Sequence, residues 1–447
     1  MSQEKKAIGT EPIYDAKVLG VPKMLLLGLQ HMFAMFGATV LVPALTGLDV
    51  STTLLFAGLG TLLFHFLAKG KVPAFLGSSF AYLAGYWAIA PNKEPELLPY
   101  ACFGVACSGI LYLILAALIK AFGAKKVMRY FPPIVTGPII IAIGLNLSKS
   151  AIDNCASSWW IAALAIVVVI GCNIWGKGMI KIIPIILGVL VSYIAAALTG
   201  YVDFTPVKEA AWIGFPIYWD RTVFSLFKNP DTSLLLTAVI TIMPIALATM
   251  VEHIGDISAI SSTVGKNYIK DPGLHRTLTG DGLATTIASL FGAPANTTYG
   301  ENTGVLSLTR VFDPLVIRLA ALFAILFSFC PKISALISCM PAATMGGVSL
   351  VLYGMISAVG VRNVVENKVD FSKSRNVIIA ALILVLSIGV NYSTAGAITF
   401  AVGSATISLS GLAVGSIVGI ILNAVLPGKD YSFDDDKPDQ TGVSFEV

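Results

Sequence analysis

Residues 293–310 read APANTTYGENTGVLSLTR, and residues 73–90 read PAFLGSSFAYLAGYWAIA. Each stretch lies within an apolar run and sets two hydroxyl residues beside an aromatic ring. Asn296-Thr297-Thr298-Tyr299 answers Gly77-Ser78-Ser79-Phe80 at an offset of 219 residues. The Gly and Pro around them suit a broken helix with an extended stretch at mid-membrane. Exposed backbone there is tolerated only where it lines a polar cavity or pairs with another strand. Two further echoes keep the same order: Gln30-His31 with Glu252-His253 at an offset of 222, and Pro132–Gly137 with Pro341–Gly346 at 209. The chain therefore reads as two related halves. Discontinuous segments at matching places in two halves are the best sequence pointer to a binding site.

The surrounding composition supports a membrane setting. Of 447 residues, 56% are hydrophobic and 12% charged, against roughly 25% charged in a soluble domain. A mean hydropathy of +0.83 leaves more apolar surface than a core can hide, so much of it faces lipid. This excludes an ordinary cytosolic enzyme. A net charge of +4, carried in short basic clusters, gives no surface for nucleic acid. The six cysteines form no close metal-type pair and read as small buried hydrophobes.

Fourteen candidate spans follow from apolar runs, near 24–44, 51–68, 72–91, 99–119, 133–148, 159–174, 180–199, 233–258, 278–292, 296–310, 315–331, 334–357, 376–391 and 402–426. Seven per half is an odd number, so the second half enters from the opposite face and the repeat is inverted. The expected fold is an all-α polytopic protein with short extended stretches in spans 3 and 10. Placing both termini in the cytoplasm puts 23 of the 29 basic residues inside, as the positive-inside rule requires. No removable signal is evident in the polar first 23 residues, so a bacterial inner membrane is expected. The tail bearing Asp434, Asp435 and Asp436 reads as a solvated end.

An acid inside a span costs at least about 2.5 kcal/mol on insertion scales, so each is a functional candidate. Glu252, Asp256 and Glu301 are the clear cases. Glu252 and Asp256 are four residues apart, on one helix face, where they can share a partner or a proton. Asp256 also fits a residue at the cytoplasmic helix end. Glu301 follows Tyr299-Gly300, where a half-helix is expected to begin and present N–H groups beside a carboxylate. A capping acid fits the same position. His31 lies in an apolar stretch, with a structural and a functional role equally open. Phe80 and Tyr299 can stack on a heteroaromatic ring or simply pack. His65 and the tryptophans Trp159, Trp160 and Trp212 read as structural, the latter as interface residues.

At these residues the chain resembles the nucleobase-ascorbate transporter family, and within it the bacterial members that carry uracil. Glu301-Asn302-Thr303-Gly304 through Thr309-Arg310 matches the family signature: an acid or amide, Asn-x-Gly, four residues, then Thr-Arg. Gln30-His31, the run Pro73 to Phe80, Asp271 through Arg276, and Gly346 through Gly354 also match, and the likeness covers roughly residues 15–427. It implies a homodimer in the bilayer with a core domain (24–125 and 233–333) and a gate domain (126–205 and 334–427). An N-terminal segment (1–23), an extracellular loop (206–232) and an acidic tail (428–447) complete it.

The resemblance further implies import of uracil with a proton, by movement of core against gate, and no cofactor. Glu252 and Glu301 then hydrogen-bond the base, Phe80 stacks on it, Tyr299 and Gly300 form wall and backbone contacts, and Tyr353 is a gate-side neighbour. His31, Ser79, Thr298 and Asn302 orient these groups. The proton is assigned to Glu252, Asp256, Glu301 and His31. Asp256 stands where uracil carriers of the family have histidine, and purine carriers often share it. Glu301 matches the uracil carriers. A xanthine or purine carrier, a sodium-coupled carrier, and an anion exchanger or channel are the alternatives. No zinc, aspartate-protease or nucleophile-elbow motif points to an enzyme.

Overall fold

The computed structural model describes residues 8–9, 11–228, 230–402, 405–429 and 431, without the side chains of 179, 182, 301, 401, 402 and 405–408. The acidic tail thus lies almost wholly outside the described residues, as do most of the first ten.

The first half runs α1 (Val21–Thr46), α2 (Val50–Leu67), β1 (Leu76–Ser78), α3 (Leu83–Ile89), α4 (Leu98–Phe122), α5 (Ala124–Met128), α6 (Pro133–Ala156), α7 (Trp159–Trp175), α8 (Met179–Ile182) and α9 (Pro184–Leu198). After the short α10 (Thr205–Glu209), the second half runs α11 (Thr232–Ile242), α12 (Ala246–Val264), α13 (Leu274–Leu290), β2 (Asn296–Thr298), α14 (Gly300–Thr309), α15 (Pro314–Ser328) and α16 (Pro331–Ser338). It closes with α17 (Ala342–Glu366), α18 (Ser374–Asn391), β3 (Ala397–Val402), β4 (Ala405–Ser410) and α19 (Gly411–Val425).

Local chemistry sets these boundaries. Asp49, Asp231 and Asp313 cap α2, α11 and α15 by accepting from backbone N–H groups of the first turn, and proline opens α6, α9, α15 and α16, where its missing N–H costs nothing. Among the described residues, seven helical stretches can cross a membrane by length and composition, or eight if α15 and α16, bent by 84°, form one span. Four more apolar helices are shorter. The mostly helical reading stands; a count of fourteen spans is not established.

Two expected spans need correction. Span 12 (334–357) is broken, because α16 ends at Ser338 and α17 begins only after Pro341, whose ring disfavours helix in the residue before it. Span 14 (402–426) is helical only from Gly411. Before it, β3 and β4 pair antiparallel from Ala397↔Ser410 to Val402↔Ala405. β4 alternates Ala405, Ile407 and Leu409 with Thr406, Ser408 and Ser410, the period of two of a strand.

One packed set of helices comprises α1, α2, α4, α11, α13 and α15; α6, α7, α9, α17, α18 and α19 form another. Within the second set α6 and α17 touch backbone to backbone: a Cβ on Gly144 would lie 2.2 Å from the Tyr353 carbonyl oxygen. The β1–β2 pair lies among the first set, against α1, α2, α12 and α13.

Candidate functional site

The two echoed stretches meet. β1 and β2 pair antiparallel with Leu76 opposite Thr298, Gly77 opposite Thr297 and Ser78 opposite Asn296. Ser79 N–H donates to the Ala295 carbonyl at 2.9 Å and Tyr299 N–H to the Phe75 carbonyl at 3.3 Å. Strands buried in every residue thus satisfy each other's backbone groups, the condition for extended chain inside a membrane. Chain leaves β1 into a 3-10 turn, Phe80–Tyr82, and then α3; it leaves β2 into α14 at Gly300. No side chain caps α14 at Tyr299, so its first N–H groups are presented at the end of the crossing.

Tyr299 braces this crossing. Its hydroxyl donates to the Ser78 carbonyl at 2.7 Å, and its ring lies so close to Gly77 that a Cβ there would be 2.6 Å from it. Phe80, 7% exposed, meets a different ring: Tyr353 of α17, centroids 5.7 Å apart and tilted 75°. This contact joins the first helix set to the second. The hydroxyls of Ser79 and Tyr353 are buried with no hydrogen-bond partner among the described residues.

The acids lie along α12. Glu252 and Asp256 share one face of this unbroken helix. Asp256 sits mid-helix, not at its end: it accepts from Thr298 Oγ1 at 3.0 Å, and a Cβ on Gly300 would be 3.2 Å from its Oδ1. Asp256, Thr298 and the start of α14 are therefore one cluster. Glu301 is the second residue of α14; its side chain lies outside the described residues. His31 and Asn302 meet as a pair, Nδ1 to Oδ1 at 2.8 Å, both fully buried. Asn302 Nδ2 donates to the Pro73 carbonyl at 2.9 Å, tying α14 to the chain entering β1. His65 braces the same segment, 2.9 Å from the Ala74 carbonyl.

Sequence reading missed one pair. His253 Nδ1 lies 3.3 Å from Asp281 Oδ2 on α13, both side chains fully buried, and the same nitrogen is 3.3 Å from Thr298 Oγ1. Thr298 thus links Asp256 to the His253–Asp281 pair. Asp281 falls three residues into the expected span 278–292 and was not singled out. Because α13 starts at Leu274, Asp281 lies two turns inside it; the signal was an acid in an otherwise uncharged run from Leu278 to Ala295. Among the described residues no cluster of three or more His, Cys, Asp or Glu could hold a metal ion.

Comparisons with known proteins give the family and the fold. A family described as "Permease family" matches residues 22–396. Uracil permease from Bacillus caldolyticus is 40% identical over 93% of this chain and 94% of its own length. The uracil permease of Escherichia coli (strain K12) is 39% identical over 89% and 90%. Among solved structures, SLC26A9 matches with a TM-score of 0.62 at 14% identity, over 92% of this chain and 66% of its own longer chain. The transmembrane domain of the cyanobacterial bicarbonate transporter BicA matches at 0.58 and 14%, over 85% and 97%. These two matches establish a shared fold. The chain belongs to the permease family of nucleobase-ascorbate transporters, and is a multi-pass membrane transporter, not an enzyme.

Proposed function

We propose that this protein imports uracil together with a proton, by alternating access of a core (24–125 and 233–333) against a gate (126–205 and 334–427). The observation that carries the reading is the meeting of Asp256, Thr298 and the start of α14 at the strand crossing. There an acidic acceptor stands at the first turn of α14, whose N-cap residue Tyr299 gives no side-chain cap, which suits a planar ring with alternating donors and acceptors. The two relatives named uracil permeases, at about 40% identity, support uracil as that ring.

In this scheme Glu252 and Glu301 read the imide and carbonyl edge. Phe80 stacks on the ring, Tyr353 borders it from the gate, and Tyr299 and Gly300 supply wall and backbone. His31, Ser79, Thr298 and Asn302 hold these groups in place. The proton is taken up by the Glu252–Asp256 face with Glu301 and His31, and Thr298 links that face to His253 and Asp281. Both termini lie in the cytoplasm of a bacterium, the protein sits in the inner membrane, and it works as a homodimer. The place of Asp256 in the cluster favours a second reading, a purine carrier of the same family. An anion exchanger has only the shared fold in its favour.

Uptake in a permease-deficient strain tests the choice. Labelled uracil uptake should be blocked by uracil and not by xanthine, survive replacement of sodium by choline, and fall sharply in Glu301→Gln. Unchanged uptake in that variant removes Glu301 from its role; block by xanthine replaces uracil with a purine.

A further inference from the structure

The segment before α1 is threaded across the far ends of the helices that carry the acids. Gly9 N–H donates to the Thr309 carbonyl at 2.9 Å, Ile13 N–H to the Arg310 carbonyl at 2.8 Å, and Phe312 N–H to the Ile13 carbonyl at 2.8 Å. Ile13 and Val311 thereby form a parallel bridge. Further on, Ala16 N–H donates at 2.8 Å to Oδ2 of Asp313, the residue that caps α15, and Ile13 and Ala16 are buried against Leu27, Val311 and Val316. Tyr14, between them, reaches a second helix. Its hydroxyl donates to the Val264 carbonyl at 2.8 Å, its ring packs on Phe312 with centroids 5.6 Å apart, and the Lys266 ammonium lies 4.4 Å from the ring centre, a cation–π distance.

These bonds fall where two helices need them. The last carbonyls of a helix have no partner inside it; here Gly9 and Ile13 serve Thr309 and Arg310 at the end of α14, and Tyr14 serves Val264 at the end of α12. α14 has only 10 residues, fewer than the roughly 12–15 at which a helix begins to hold by itself. Its placement therefore depends on what grips its ends. Asp256 precedes Val264 by two turns of α12, and Gly300 opens the helix that Thr309 closes, so strap and strand crossing lie about 12–14 Å apart along both helices. A shift at one end is carried to the other.

We propose that residues 9–16 form a strap that sets the geometry of the nucleobase site, with Tyr14 as a positioning residue. It fixes α12 relative to α14, and with them Glu252 and Asp256 relative to Gly300 and Glu301. Its partners on α12, α14, α15 and the turns beside them all belong to the core, so the strap travels with the core and acts on binding, leaving the movement against the gate alone. This inference rests on the nucleobase reading of the site.

Tyr14→Ala and Tyr14→Phe in the full chain test it, through equilibrium binding of labelled uracil to purified protein, KM and maximal rate of uptake, and the thermal midpoint without ligand. Tyr14→Ala should raise the dissociation constant and KM together by about fivefold or more, with the maximal rate per transporter within about twofold of wild type. Tyr14→Phe keeps the ring on Phe312 and Lys266 and loses one hydrogen bond, so its rise should be about two- to threefold. A dissociation constant that stays at the wild-type value in both, whether or not the midpoint falls, assigns the strap to stability alone and overturns the proposal. So does a fall in maximal rate at unchanged KM. Where Tyr14→Ala does not survive purification, Tyr14→Phe decides by the same readings. Wild type is measured first with uracil and with xanthine: binding of xanthine alone overturns the uracil reading, and the variants are then judged with xanthine, whereas binding of neither overturns the nucleobase site and this inference with it.

Discussion

A methyl group at position 77 puts the strand crossing to the test. Gly77 faces Thr297 in the β1–β2 pair, and a Cβ there would lie 2.6 Å from two carbons of the Tyr299 ring and 2.7 Å from Thr39 Oγ1. The ring cannot swing away freely, because its hydroxyl is held on the Ser78 carbonyl at 2.7 Å. Overpacking costs about 1–3 kcal/mol, and losing a buried hydrogen bond about 0.5–1.5 kcal/mol. Gly77→Ala should therefore cost roughly 2–4 kcal/mol at the crossing. At about 1.4 kcal/mol per factor of ten, the lower figure shifts the equilibrium between intact and disrupted site roughly thirtyfold toward disruption. The assay is initial uracil uptake at limiting concentration, normalised to protein in the membrane, with the thermal midpoint in detergent. Tyr299→Phe removes the hydrogen bond alone and should cost about two- to tenfold. A Gly77→Ala protein indistinguishable from wild type in uptake and midpoint would refute the packing of ring on strand.

Asn302→Leu should lower the thermal midpoint and uptake together. It leaves His31, whose Nε2 already lacks a partner among the described residues, with no bond at Nδ1, and frees the Pro73 carbonyl. Each stranded buried group costs about 1–3 kcal/mol, and a double variant with His31→Leu should cost less than the sum. Asp281→Asn should flatten the dependence of uptake on external pH, since it removes the carboxyl facing fully buried His253; a retained pH profile excludes the pair from coupling. At the loop between α12 and α13, Lys71 pairs with Asp271 and holds its carboxyl below the usual 3.8. A lowered carboxyl value stabilises the folded state above the ordinary range and loses that effect as pH falls through it. The gap in midpoint between wild type and Asp271→Asn should thus be small, present at neutral pH and gone in strong acid. Both side chains are exposed by more than two fifths, so a large gap would contradict an exposed pair.

The parts legible in sequence are those where chemistry repeats at a fixed offset. The hydroxyl–aromatic echoes at 77–80 and 296–299 became the paired strands, and the expected half-helix after Tyr299 begins at Gly300. What stayed hidden depends on contacts between distant segments. Asp281 acquires meaning only through His253, on another helix, and apolarity alone set its span four residues too late. β4 was read as the start of span 14 because the hydropathy of 402–426 as a whole outweighed the alternation of apolar residues with Thr and Ser over 405–410. The break at Ser338–Pro341 was overridden by hydropathy, although Pro341 announced it. The aromatic character of Tyr299 gave a ring that stacks or packs, and the resemblance gave a ligand wall; neither reading holds the bond of its hydroxyl to Ser78, a partner 221 residues away.

The central claim is proton-coupled uracil transport through this site, and uptake into proteoliposomes tests it most directly. Purified protein is reconstituted, sodium is replaced by choline, and an interior-alkaline pH gradient is imposed with labelled uracil outside. The account predicts accumulation above the external concentration that collapses when a protonophore dissipates the gradient. Mere equilibration, unaffected by the gradient, or accumulation only when sodium is restored, would contradict it.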